Sequence, residues 1–143
     1  MGVYSLSGIR DSTIRKATMA TVNLTTESFE ETVQNNDIVL IDFWAAWCGP
    51  CRMFGPVYEK ASETHSDIVF GKVDTEAQQD LAAAFQVMSI PTLMAFRDNV
   101  LLYAQAGALP ETALESLISQ IRALDMDEVR AKIAEAETAG QKA

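Results

Sequence analysis

Seven consecutive residues, Ile38-Val39-Leu40-Ile41-Asp42-Phe43-Trp44, are apolar at both parities except for Asp42. A strand with one wet face alternates apolar and polar side chains. An unbroken run marks a strand covered on both faces, the interior member of a sheet with helices above and below. Just beyond it stands Trp47-Cys48-Gly49-Pro50-Cys51, which holds both cysteines of the 143-residue chain. Pro50 suits the first turn of a helix, where a missing N–H leaves nothing unpaired. The cysteine pair therefore falls where a central strand hands over to a helix.

That position has chemical consequences. A thiolate, and not a thiol, attacks a disulfide. At a helix N-terminus, unpaired backbone N–H groups and the macrodipole favour negative charge. Cys48 is the expected nucleophile, its sulfur open to solvent and close to Cys51 and Pro91. Cys51, one turn further in, is the expected resolving thiol. A purely structural disulfide is the competing reading, but so short a loop restricts the unfolded chain little. Two cysteines and the lone His65 fall short of four zinc ligands, so no metal site is expected. His65 itself reads as a solvated helix-end residue.

Asp42 admits two readings from periodicity. Buried unpaired, its carboxylate costs several kcal/mol unless it holds a proton, and it would then serve as general base for Cys51. Alternatively it reaches solvent from the strand end. Lys72, one strand over and also inside an apolar stretch, is its natural partner. Ser89-Ile90-Pro91-Thr92 places a proline between a helix and a strand, a turn in which both isomers of the Ile90–Pro91 bond stay open. Trp47 offers apolar contact surface beside the cysteines. Gly107, between Ala106 and Ala108, is either a tight loop on that face or a plain turn.

The order of elements reads βαβαβαββα plus an extra C-terminal helix, an α/β chain with a mixed central sheet flanked by helices on both faces. Expected elements include a helix from about Thr75 to Val87 and a strand from Asp67 to Asp74. A last helix, capped at Asp125, is expected to stop at Gly140. Residues 1–19 read as a flexible leader, 20–124 as the folded domain and 125–143 as a helical extension. No apolar run approaches the ~20 residues a membrane span needs, and no apolar segment follows the basic residues of the leader, which argues against a secretory signal. The net charge of −9 makes phosphate backbones and anionic membranes poor partners.

From about Ala20 to Leu124 the chain resembles bacterial thioredoxins. The resemblance is carried by Val39–Met53 with its Trp-Cys-Gly-Pro-Cys core, by Pro56, by Lys72-Val73-Asp74, by Ile90-Pro91-Thr92-Leu93 and by Gly107-Ala108-Leu109. It implies the thioredoxin fold, with Asp42 as the buried catalytic aspartate, Lys72 as its neighbour and Pro91 as a cis-proline facing the cysteines. Trp47, Gly49, Pro50, Ile90, Pro91, Ala106, Gly107 and Ala108 correspond to the substrate-docking surface. The Gly-Pro dipeptide is similar to that of the reducing members, which implies a cytoplasmic monomer that reduces protein disulfides. No bound cofactor is implied, and a flavin-dependent, NADPH-linked thioredoxin reductase would return the electrons. The chain departs from the pattern at Arg52, where Lys is common, at the Asp98-Asn99 turn, at Pro110 and in both extensions. Those extensions support a second reading, a docking module whose helical tail binds one partner, with redox chemistry secondary.

Overall fold

The computed structural model describes residues 20–142. The leader expected at 1–19 lies outside the described residues. Five strands form one mixed sheet: β1 (Val22–Asn23), β2 (Ile38–Trp44), β3 (Val69–Asp74), β4 (Thr92–Arg97) and β5 (Val100–Ala106), in the spatial order β1-β3-β2-β4-β5. β1, β3 and β2 run parallel; β4 and β5 are antiparallel additions. Among the described residues five helices accompany them: α1 (Thr26–Asn35), α2 (Gly49–Thr64), α3 (Gln79–Ala84), α4 (Glu111–Ala123) and α5 (Met126–Lys142).

The double-sided run becomes the middle strand. Ile38 and Leu40 point into one apolar layer with Phe54 and Tyr58 of α2 and Leu114 and Ile118 of α4. Val39, Ile41 and Phe43 point into the other, with Phe29 and Val33 of α1 and Leu81 of α3. Each such side chain, taken out of water, contributes roughly 1.5–3 kcal/mol, which is why one seven-residue segment organises both layers. Gly71 of β3 is needed for close approach: a Cβ there would meet Leu24 Cδ1 at 2.6 Å.

Local chemistry sets the ends. Thr25 caps α1, accepting from Ser28 N–H at 3.1 Å while Ser28 Oγ accepts from Thr25 N–H at 2.9 Å. The hairpin between β4 and β5 turns through Asp98 (φ 52°) and Asn99 (φ 64°), the two-residue turn with positive φ at both positions that matches strand twist.

Four expectations are corrected. The helix foreseen over Thr75–Val87 is confined to Gln79–Ala84. Asp74 Oδ1 accepts from the N–H groups of Glu76 and Ala77 and holds a turn there, and Gln86 leaves the helical region at φ 55°. β3 begins at Val69 and not at Asp67, because Ile68 N–H is taken by His65 carbonyl in a turn. α5 passes through Gly140 to Lys142; no side chain crowds that glycine, and an unpacked helix has no reason to stop there. His65 is not solvated: it ends α2 with its side chain 17% exposed, between Glu115 and Arg122.

Candidate active site

Cys48 is the N-cap residue of α2, and its sulfur accepts the N–H of Cys51 at 3.1 Å. This is the orphan amide of a helix start satisfied by sulfur. The two cysteines are joined as a disulfide with their Cα atoms 5.2 Å apart. Pro50 lies in the first turn, as its fixed φ requires. Arg52 turns back to donate to Ala46 carbonyl at 2.9 Å and braces the loop between β2 and α2.

Cys48 as a residue is more covered than the open position expected of it. Cys48 is 3% and Cys51 5% exposed, packed with Ala45 and flanked by Trp44 and Ile90. Around them Trp47, Gly49 and Pro50 form an exposed rim. Trp47, 66% exposed, is tethered by its indole N–H to Glu76 Oε2 at 3.4 Å. A partner sulfur reaches Cys48 only by fitting closely against this rim.

The opposite wall comes from the loop before β4. Ile90 carbonyl lies 3.7 Å from Cys48 Sγ, and the Ile90–Pro91 peptide bond is cis. Gly107 N–H donates to Pro91 carbonyl at 2.8 Å, and Gly107 holds φ 113°, a conformation costly for any residue with a Cβ. Ala106 pairs with Thr92 at the end of β5. Trp47, Gly49 and Pro50 at the start of α2, Ile90 and Pro91 before β4, and Ala106 and Gly107 at the end of β5 thus lie at the disulfide end of the sheet, with Ala108 next in the chain.

Asp42 lies in the sheet interior, 1% exposed, and its Oδ1 has no hydrogen-bond partner. Of the two readings of this residue, the buried one holds. Burial pushes its carboxyl up to about 7, partly offset by the positive charge of Lys72. Register sets Asp42 beside Lys72 on β3, yet the two form no ion pair. The ammonium sits 4.8 Å above the Trp44 ring instead, the stacked arrangement that attracts a cation to an aromatic face. Asp42 shares the sheet face packed by α2, where Tyr58 donates to Gly71 carbonyl at 2.8 Å. Burial and the Asp42 charge both drive the Tyr58 hydroxyl well above its ordinary range.

Sequence reasoning missed Glu76, which holds Trp47 from 29 positions away, and the role of Trp44 beneath Lys72. Neither has a local signal. Among the described residues no three His, Cys, Asp or Glu side chains stand close enough to hold a metal ion, and no helix is long and apolar enough to cross a membrane.

A family model described as Thioredoxin matches residues 20–120, well over half of the chain. The chain belongs to the thioredoxin family. It is 64% identical over 116 residues to a putative thioredoxin 2 of Streptomyces coelicolor, covering 81% of this chain and 87% of that relative. It is 38% identical over 103 residues to a thioredoxin of Alicyclobacillus acidocaldarius, covering 71% and 98%. Among solved structures, a mutant thioredoxin from Halobacterium salinarum superposes with a TM-score of 0.68 at 34% identity, over 76% of this chain and 97% of that one. A structure from work on the thiol resolving mechanism of yeast mitochondrial 1-Cys peroxiredoxin via glutathione/thioredoxin systems gives 0.65 at 34%, over 70% and 94%. This thioredoxin-family chain is a thiol–disulfide oxidoreductase, with Cys48 and Cys51 as its redox couple.

Proposed function

We propose that the protein works as a reductant of protein disulfides, with Cys48 attacking and Cys51 resolving. The observation that carries this is the sulfur of Cys48 at the N-cap of α2, accepting the Cys51 amide. In the reduced protein that amide and the helix N-terminus favour the thiolate. The thiolate attacks one sulfur of a client disulfide, forming a Cys48–client disulfide and releasing a client thiolate. Cys51 then gives up its proton, attacks Cys48 sulfur and forms the intramolecular disulfide, and the second client thiolate leaves. Asp42, half-ionised near neutrality because burial holds its carboxyl at about 7, accepts the Cys51 proton as general base. Lys72 keeps that carboxyl from rising further. Trp47, Gly49, Pro50, Ile90, Pro91, Ala106, Gly107 and Ala108 form the docking rim.

Two electrons must return to the pair after each turnover. The reading assigns them to a flavin-dependent, NADPH-linked thioredoxin reductase acting on a monomer in a reducing cytoplasm. It assigns the catalytic unit to residues 20–124 and leaves 1–19 and 125–143 outside it. The test is the pair of serine variants in an insulin-reduction assay. Cys48→Ser should abolish turnover, and Cys51→Ser should accumulate a covalent mixed disulfide with the client. Turnover surviving in Cys48→Ser would overturn the assignment.

A further inference from the structure

The last helix is the least covered part of the fold. α5 is anchored to the domain by its first turn, where Met126 is buried, Val129 is half-buried and Arg130 bridges Asp98 and Asp127. From Ala131 to Gly140 every residue is exposed. That stretch is ~15 Å of helix, and a helix so short is marginal in water unless an apolar face is packed. α5 has such a face. Met126, Val129, Ile133, Ala136 and Gly140 follow one another at spacings of three, four, three and four, the heptad seam of paired helices. Ile133 stands 39% exposed in the middle of it. Gly140 is unfavourable inside a helix, and no contact within the described residues accounts for it.

Side-chain size and charge both say what covers the seam. A second α5 laid antiparallel about a two-fold axis sets Val129 against the partner's Gly140 and Ile133 against the partner's Ala136. Each layer then has one large side chain facing a small one, which fills the space between two close helices. A parallel pair would stack Ile133 on the partner's Ile133 and leave two glycines facing each other. Arg130 and Glu137 flank the seam on one side, seven residues apart. The same antiparallel register brings Arg130 opposite the partner's Glu137, and symmetry repeats the contact. It also keeps two domains of a chain of net charge −9 at opposite ends of the helix pair. Both cysteine ends stay free, because α5 begins beside the Asp98 hairpin at the other end of the sheet.

We propose that α5 is a self-association element through which two copies of this chain pair antiparallel along Val129, Ile133, Ala136 and Gly140, with Arg130 opposite the partner's Glu137. So short a seam falls below the ~1,200 Å² that a standing complex buries. The dimer therefore depends on concentration, and the dilute chain meets clients and reductase as a monomer. None of this depends on which cysteine attacks.

The test is sedimentation equilibrium of the full chain from about 10 μM to about 1 mM, with insulin reduction and circular dichroism as checks on folding. The parent should pass from monomer to dimer across that range. Ile133→Asp, which would bury a carboxylate in the seam, should stay monomeric and reduce insulin at the parent rate. Glu137→Arg and Arg130→Glu each set like charges together and should weaken the dimer by roughly tenfold or more. Mixed in equal amounts, those two variants should form a heterodimer within about threefold of the parent affinity, since the antiparallel register then pairs opposite charges on both flanks. A parent that is still monomeric at the highest concentration overturns the proposal. So does a dimer that survives Ile133→Asp, which would be joined through another surface, or a mixture that associates no better than either variant alone.

Discussion

The two ends of the sheet are built on opposite principles. At the end away from the cysteines, charged groups find partners. Arg122 holds Asp67 through two bonds of 2.7 and 2.9 Å, and its Nη2 reaches His65 Nδ1 at 3.1 Å. Because guanidinium only donates, that nitrogen must accept, which puts the imidazole proton on Nε2 facing Glu115 Oε1 at 2.8 Å. Arg130 of α5 bridges Asp98 and Asp127. Arg97 at the end of β4 gives one nitrogen to the carbonyls of Ile121, Arg122 and Leu124, although its buried Nε has no partner, the exception at this end. At the cysteine end, Asp42 has an unpartnered oxygen, Trp44 an unpartnered indole N–H, and Lys72 rests on a ring instead of a carboxylate. One end is tied down; the other carries groups whose burial is costly and whose ionisation is useful. Stability and chemistry should therefore respond separately to substitution.

The largest effect after loss of the nucleophile should come from Asp42→Asn. The folded protein binds the Asp42 proton more tightly than the unfolded chain, with the carboxyl at about 7 against an ordinary 3.8. Below about pH 4 both states hold the proton and the group has no pH-linked cost. Between pH 4 and 7 the native state alone keeps it, so stability falls as pH rises. Above pH 7 the full cost stands, about 4 kcal/mol for a carboxyl carried from 3.8 to about 7. Denaturant unfolding at pH 4 and pH 8.5 should show the variant gaining on the parent by that order. Insulin reduction near neutral pH should slow in the same variant. An unchanged rate would remove Asp42 from the proton transfer, and a stability gap indifferent to pH would mean the carboxyl is not held up by burial.

Arg97→Met probes the tied end. It removes the donor shared by three carbonyls at the end of α4, where a cation also complements the helix dipole. Hydrogen bonds from a charged group contribute about 1.5–3 kcal/mol, so a loss of about 2 kcal/mol is expected. Reduction of hydroxyethyl disulfide should not change. A variant that kept its stability but lost turnover would erase the division between the two ends.

How much of this was legible along the chain depended on range. The middle strand showed itself in seven adjacent residues. The redox pair and Pro50 declared the start of α2. What failed were properties set by distant partners. His65 looked solvated because Glu115 and Arg122 lie 50 and 57 residues away. Asp42 stayed ambiguous because only the layer formed by α2 and α4 decides whether water reaches it. The cover over Cys48 comes partly from Ile90, 42 positions on. The shortened α3 is the instructive exception: Asp74 was in plain view, but an acidic residue before a helix reads equally as a cap or as a turn that delays it.

The smallest effect should come from Arg122→Ala. The Arg122 fork holds the Asp67 carboxyl down at about 2, yet the two side chains are 37% and 64% exposed. Water and salt screen such a pair, so the loss should stay under about 1 kcal/mol despite the good geometry. The sign is opposite to that of Asp42. The pair stabilises the fold above about pH 4 and ceases to do so as pH falls through 2, so parent and variant should converge in acid. Carboxyl titration by NMR should find Asp67 moving from about 2 in the parent toward its ordinary 3.8 in the variant. A loss of several kcal/mol would show instead that His65 and Glu115 depend on Arg122, and that the tied end behaves as one network, not as separable pairs.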